Sequence, residues 1–398
     1  MSTFFPAGTR FGARTLAIGL VGLAALALLA LPGGAQAKSK GTKVKVMTRN
    51  LYLGADLTPG VQAGSLQQLV DAAGQILNDV DTNDFHVRAK GLAEEIKKKN
   101  PDLVGLQEAS LWRDEPCTEN PIPPHATHVR HGNDYTKLLL KQLNKGKKRY
   151  RKVISEPEFD FEVYANTDGN ESTSAPGCPF GSEINGRLTM RDAILVHSGK
   201  RIKTKKAKGA NFDTLLQESP AGIPVNVTRG WTRVKAKVDG SPWFRFVDTH
   251  LEAFDSQASN HTNHGTDVGK GEIREAQARE LFAQGGPATG DLPVILVGDL
   301  NSDDDTVQDG DRLAYNALIG GGFRERSTDN PLGCCLNADI ITQGGGGSVS
   351  DFDHQVDHVL TDSPKKVKLV NSSVTGRHPV NGFWDSDHAG LFSTLRLR

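Results

Sequence analysis

The sequence predicts a layered domain of mixed α/β class. Three observations carry that reading. Short apolar runs of strand length recur from Lys43 to the C-terminus. Segments of helical periodicity fall irregularly between them, which fits packed layers rather than a bundle. Glycine and proline are frequent, at 43 and 19 residues, and aromatics make up only 6%. That composition suits a loop-rich enzyme-sized protein and excludes a coiled coil or a collagen. Hydrophobic residues, at 37%, are ample for a core in a chain of 398 residues. The 47 basic and 47 acidic side chains cancel, which excludes a strongly basic nucleic-acid coat protein.

The elements follow in order. Lys43–Thr48 alternates Val with Lys and reads as the first strand. Leu66–Leu77 and His86–Lys99 read as helices, and Asn100-Pro101 stops the second, since proline cannot continue a helix. Asp102–Gln107 is a strand and Tyr135–Leu143 a helix. Arg191–Val196, Thr232–Val238 and Phe244–Thr249 are strands. Helix Glu272–Phe282, strand Pro293–Val297 and helix Arg312–Ile319 come next. Gln355–Leu360, Val367–Val374 and Leu391–Leu397 are the closing strands. Polar loops are expected at Trp112–His131, Asn166–Asn185, Asp255–Lys270, Ser302–Asp311 and Ser327–Ser350. The glycine-rich stretch Gln343–Ser350 is expected to be flexible. The basic runs Lys141–Lys152 and Lys200–Lys208 read as solvated faces or hairpins, and more sharply as contacts for an anionic partner.

The N-terminus differs from the rest. Arg10 and Arg14 precede an uninterrupted apolar or glycine run, Leu16–Leu31, then Pro32-Gly33-Gly34 and the small-x-small site Ala35-Gln36-Ala37. This predicts a secretory signal peptide over residues 1–37, cleaved after Ala37, and a single domain over residues 38–398. The apolar run is short of the ~20 residues that span a bilayer. Export favours disulfides among Cys117, Cys178, Cys334 and Cys335. Because sequence neighbours seldom bridge each other, Cys334 and Cys335 are each expected to reach one of the other two.

Polar residues recur where apolar strands end. Val46-Met47 leads to Asn50, Leu103-Val104-Gly105-Leu106 to Gln107 and Glu108, and Phe246-Val247-Asp248-Thr249 to His250. Val294-Ile295-Leu296-Val297 leads to Asp299 and Asn301. Asp357 sits within a strand, and Ser386-Asp387-His388 opens the last one. Any one of these is ordinary. Together they matter, because sheets bring strand ends together and sites form there. Carboxylate and amide oxygens suit a hard divalent cation, and imidazoles supply proton transfer.

These segments carry a resemblance. Thr48-Arg49-Asn50, Leu106-Gln107-Glu108, Asp248-Thr249-His250, Gly298-Asp299-Leu300-Asn301, Val356-Asp357-His358-Val359-Leu360 and Ser386-Asp387-His388 are similar, in order and rough spacing, to the endonuclease/exonuclease/phosphatase superfamily. The resemblance implies a four-layer α/β sandwich, two face-to-face mixed β-sheets flanked by helices. It implies a metal-dependent phosphoesterase, with magnesium as the ion and manganese or calcium as substitutes. Glu108 resembles the principal metal-binding carboxylate, with Asn50 and Asp387 beside the same ion. His388, oriented by Asp357, resembles the general base, a task that Asp299 shares in some accounts. Asn301 and His250 resemble the groups that hold the phosphate oxygens. The acid found two places after Asn50 in abasic-site endonucleases is absent, since Tyr52 stands there.

The resemblance leaves the substrate open between a phospholipid, a nucleic acid and, third, an inositol phosphate. Thr249-His250-Leu251-Glu252-Ala253 is similar to a segment of secreted sphingomyelinases, which favours a lipid head group and peripheral membrane contact. Phe383-Trp384 is expected to give the pocket an apolar lip, with Trp384 touching substrate. A secreted nuclease using the basic runs is the alternative, and a non-catalytic binding module on the same fold is the second. No obligate protein partner is evident. Two smaller expectations concern calcium at the acidic loop Ser302–Asp311, against a plain acidic loop, and membrane contact by Leu66–Leu77, against packing on the sandwich.

Overall fold

Strand β1 (Thr42–Asn50) sets the architecture. Its Val44 and Val46 point into the interface between two sheets, while Met47 points to the opposite side beneath helices. That is the two-residue alternation of a strand. The computed structural model describes residues 41–117, 126–172, 174–254, 271–303, 312–328, 332–336, 348–380 and 382–398. Residues Gly41–Arg398 make one compact unit. The expected signal peptide, the loop Asp255–Lys270, the glycine tract 344–347 and nearly all of the acidic loop Ser302–Asp311 lie outside the described residues.

From β1 the chain runs through α1 (Thr58–Val61), α2 (Leu66–Thr82), α3 (Phe85–Lys99), β2 (Leu103–Gln107), β3 (Leu111–Pro116), β4 (His128–Asp134) and α4 (Tyr135–Leu143). Next come β5 (Tyr150–Ala165), β6 (Ile184–His197), β7 (Ile202–Asn211), β8 (Leu216–Glu218), β9 (Val225–Val227), β10 (Gly230–Val238) and β11 (Phe244–His250). The chain closes with α5 (Glu272–Phe282), β12 (Val294–Asp299), α6 (Leu313–Gly320), β13 (Arg324–Glu325), β14 (Asp357–Thr361), β15 (Val367–Thr375) and β16 (Gly390–Leu397).

One sheet has the order β15-β16-β1-β2-β6-β3-β4, with β5 also paired to β6. The other has the order β13-β14-β12-β11-β10-β7. Both are mixed: β1–β2 and β11–β12 are parallel, and their other neighbours antiparallel. Val44, Val46, Leu103 and Ile194 from one sheet meet Val234, Phe246, Ile295 and Val359 from the other in a shared core. Helices α2, α3 and α4 cover the outer face of the first sheet, and α5 and α6 that of the second. The result is the four-layer sandwich.

Local chemistry explains the helix ends. Ser65 caps α2 by accepting from the Gln68 N–H at 3.2 Å, and Asp134 caps α4 by accepting from Lys137. Helix α3 ends on Lys97, Lys98 and Lys99, which favour its negative pole, and on Asn100 with φ of 52°. Helix α2 buries Leu69, Val70, Ala73, Leu77 and Val80. Its apolar face is therefore committed to the sandwich rather than to a membrane. Among the described residues no helix is long and apolar enough to cross a membrane.

Strands β3 and β7 fall where the sequence suggests a loop and a charged face, and most of β5 falls where it suggests no element. The expected loop Trp112–His131 contains most of β3 and the start of β4. Strand β3 is rich in charge because only one of its faces is covered; Arg113 pairs with Asp160 at 3.7 Å. In β5, Phe159, Phe161 and Val163 alternate with Asp160 and Glu162, and the half-buried strand blurs the apolar signal. The basic run Lys200–Lys208 is edge strand β7. It places Lys208, Lys205 and Lys203 opposite Arg233, Lys235 and Lys237 of β10.

Disulfides are present as expected, but the expected pairing is corrected. Cys117 bonds to Cys178, and Cys334 bonds to Cys335. The reason is topological. The end of β3 and the turn before β6 lie together, since Cys117 N–H donates to the Glu183 carbonyl. Cys334 and Cys335 instead lie against His388, with sulfur to Nε2 distances of 3.7 and 3.8 Å.

Candidate active site

Strand register gathers the site at one end of both sheets. Asn50 stands opposite Gln107 on parallel strands, so Glu108 follows beside it. His250 stands opposite Asp299, and Asp299 opposite Asp357. His388 precedes β16, whose Leu391 pairs with Thr48. Two backbone features make this approach close enough. Gly298 has φ of 154°, and a Cβ there would fall 2.1 Å from the Thr249 carbonyl oxygen. Glu108 and Asn301 both hold positive φ, 52° and 47°, which turns each side chain out of its strand.

The predicted residues come together. Asn50 Nδ2 donates to Glu108 Oε1 at 3.1 Å and to Asp299 Oδ2 at 3.0 Å. The Leu53 N–H donates to the other Glu108 oxygen at 2.6 Å. His388 Nδ1 meets Asp357 Oδ2 at 2.8 Å, and its Nε2 faces Asp299 at 3.6 Å and Asp387 at 4.0 Å. His250 Nε2 lies 3.7 Å from Asp299 Oδ2. The Asn301 N–H donates to Asp299 Oδ1, and its side chain to the Leu251 carbonyl, both at 2.9 Å. Ser386 Oγ bonds the Asn50 carbonyl at 2.9 Å and so ties the last motif to the first. Glu108, His250, Asp299, Asn301, Asp387 and His388 all line one cleft of about 260 Å³.

Trp384 does not join them. It is 3% exposed and packs edge-on against Phe352, ring centroids 5.7 Å apart. The expected apolar lip is therefore core, because Tyr52, Leu336 and Ala389 enclose the indole.

Three residues that sequence reasoning gave no role belong to the site. Arg229 lines the cleft, is tied to Glu252 by two contacts of 3.3 Å, and points Nη1 at His250 Nδ1, also at 3.3 Å. Glu158 and Asp192 lie behind His250, with ligand-type atoms of all three within 4.8 Å of one another. The four carboxylate oxygens of Glu158 and Asp192 are buried without a well-aligned donor. A proton held between the two acids would pair one oxygen of each. Burial is the main cause raising both, Glu158 to about 7, and their mutual repulsion adds to it for Asp192.

The two imidazoles are poised differently. Burial pushes His250 well down, and the charges of Arg229 and His388 push it further. It is therefore neutral. A guanidinium only donates, so Nδ1 accepts and Nε2 carries the hydrogen, a tautomer assigned from the bonding network. Burial also pushes His388 down, but Asp299, Asp387 and Asp357 outweigh it and raise it to about 10. Asp387 rises to about 6, first through burial and then, against the pull of His388, through repulsion by Glu108 and Asp299. Asp299 also rises, again chiefly by burial.

The chain is a member of the endonuclease/exonuclease/phosphatase family, whose sequence model matches residues 72–388. Enzymes of that family are hydrolases acting on phosphoester bonds and generally depend on a divalent metal. No curated relative matches the chain at significant similarity. Among solved structures it is similar to an endonuclease/exonuclease/phosphatase from Beutenbergia cavernae, 18% identical, covering 89% of this chain and 72% of that one, TM-score 0.49. A mannosyl-6-phosphatase from Bacteroides thetaiotaomicron is 15% identical over 88% of this chain and 99% of its own, TM-score 0.47. A humanized TDP2 from D. rerio is 17% identical over 89% and 98%, TM-score 0.43.

The residues fit a divalent cation. Glu108 and Asp299 repel Asp387 across the cleft, adding to the burial that chiefly raises it. The oxygens of all three are hard donors, while Asn50 turns its amide nitrogen to Glu108 and Asp299 and its oxygen to the Tyr52 N–H. Glu108 and Asp387, with Asn50 beside them, would hold the ion. When bound, it would offset phosphate charge and lower the pKa of water.

Proposed function

We propose that this protein is a secreted, magnesium-dependent phosphodiesterase that cleaves its substrate by in-line attack of water on phosphorus. The observation supporting this most is His388, held through Nδ1 by Asp357 with Nε2 facing the cleft carboxylates. In that pose Asp357 fixes the ring and stabilises its charge, and Nε2 takes the proton from water. For Nε2 to act as a base, the field of the surrounding acids must be partly neutralised, as Glu108 and Asp387 would be when they hold a cation. His250, neutral and protonated on Nε2, donates to a phosphate oxygen instead of acting as a cationic acid. Asn301 and Arg229 add to the oxyanion environment, with Arg229 held in place by Glu252.

A lipid head group is our preferred substrate. That preference rests on the Thr249-His250-Leu251-Glu252-Ala253 segment. A nuclease reading is favoured by one different observation, the opposed cations of β7 and β10. Export rests on the N-terminal motif, and N-terminal sequencing of secreted material should read Lys38 first. The deciding experiment is a panel of sphingomyelin, phosphatidylcholine, DNA and bis(4-nitrophenyl) phosphate, with Mg²⁺ and with EDTA. We expect metal-dependent hydrolysis of a phospholipid and of the small diester. Cleavage of DNA with no phospholipid turned over would overturn the lipid preference.

A further inference from the structure

We propose that an apolar recess beside the catalytic cleft holds the hydrocarbon part of an amphiphilic phosphodiester while its phosphate lies at the cleft. The inference rests on the phosphodiesterase reading and names a subsite within it. The recess is enclosed by α1, α2, β5, β6 and the β8–β9 ribbon, with a volume of about 110 Å³. Phe159, Phe161 and Val163 occupy alternate positions of β5, so strand geometry turns all three into it. Ala73 and Leu77 reach it from α2, and Leu188 from β6. Glu218 is the only charged side chain among its lining residues.

Two features separate this recess from an ordinary packing gap. Phe159, Phe161, Val163, Val225 and Val227 are only half-buried, so the fold leaves a contiguous apolar surface facing solvent. Such surface on a soluble domain marks a binding place. The recess is also continuous with the catalytic cleft, because Leu57, Val61, Phe159, Glu218 and Val227 line both. A group attached to a phosphate at His250 can therefore extend into it. The occupant is hydrocarbon rather than a nucleotide. Sugar hydroxyls and base edges need hydrogen-bond partners, and the described lining is apolar apart from Glu218 and the Trp112 indole, whose N–H already donates to the Leu53 carbonyl.

The test is a series of 4-nitrophenyl alkyl phosphodiesters, methyl to hexyl, assayed with Mg²⁺ below their micelle concentrations. We expect kcat/KM to climb through KM, by up to about fourfold for each added methylene, from ~0.8 kcal/mol per buried CH₂, and then to level off. Phe161→Glu and Val225→Asp, both at half-buried positions, should flatten the series while leaving the methyl ester within about twofold. A flat series in the wild-type protein, or an unchanged slope in both variants, would overturn the proposal. Calorimetric titration with methyl- and hexylphosphonate reads the recess without turnover. Equal affinity for the two would also overturn it. Tighter binding of the hexyl compound with no hydrolysis of any ester would sink the hydrolase reading alone and leave the recess standing.

Discussion

At the scale of single residues, the site is a set of charges whose meaning depends on burial. Asn50, Glu108, His250, Asp299, Asn301, Asp357 and His388 could be read from sequence because each ends or interrupts an apolar strand. Arg229 could not. It follows Thr228 in a polar stretch, and only the fold reveals that it is buried between Glu252 and His250. Glu158 and Asp192 were equally silent, since a carboxylate in a mixed strand reads as solvated. Trp384 misleads in the opposite sense: an aromatic next to the Ser386-Asp387-His388 motif reads as a lip and is core. The Arg229–Glu252 pair yields a prediction. Arg229→Met takes the guanidinium from the buried Glu252 carboxylate, which keeps the backbone donors of Ala253 and Phe254, and should cost about 3 kcal/mol. Adding Glu252→Gln should recover a good part of that loss in denaturant melts. Equal loss in the single and double variants would contradict the pairing.

At the scale of elements, strands buried on both faces were the legible ones. β2 and β12 are nearly continuous apolar runs, and β11 carries its Phe-x-Phe-Val core among buried polar residues, because sheet and helix cover all three. β3, β5 and β7 were hidden because a half-exposed or edge strand alternates charge with apolar residues and loses its contrast. Strand β7 shows a second effect. Its lysines stand opposite cations of β10, and no acid figures among the charges that act on Lys235. Like charges directly opposite destabilise a pair of strands. Lys203→Glu, placed across from Lys237, should therefore stabilise the protein slightly. A small rise in Tm at low salt, shrinking as salt is added, is the expected reading; a fall in Tm would contradict it.

At the scale of the whole molecule, two buried acid pairs govern how stability changes with pH. Burial first raises Glu158 to about 7, and burial together with repulsion by Glu95 raises Asp385 to about 8. An acid with a raised native pKa binds more protons folded than unfolded between its unfolded and folded values. Stability is then full below the unfolded value and falls as pH climbs through the folded one. The window runs from about pH 4 to about pH 8, and the loss is on the order of 3 kcal/mol for Glu158 and larger, about 5 kcal/mol, for Asp385. Glu158→Gln should flatten this slope in melts between pH 5 and pH 8. A wild-type protein more stable at pH 8 than at pH 5 would contradict the assignment.

The same scale holds the central claim, that six distant segments meet to set an activated imidazole beside oxygen ligands for a cation. The most direct test is kcat/KM for bis(4-nitrophenyl) phosphate with saturating Mg²⁺, wild type against His388→Ala, with folding of both checked by circular dichroism. The general-base role predicts a fall of about 10²–10⁴ in the folded variant. A His388→Ala protein that keeps its fold and hydrolyses the diester within a few-fold of wild type would contradict the account.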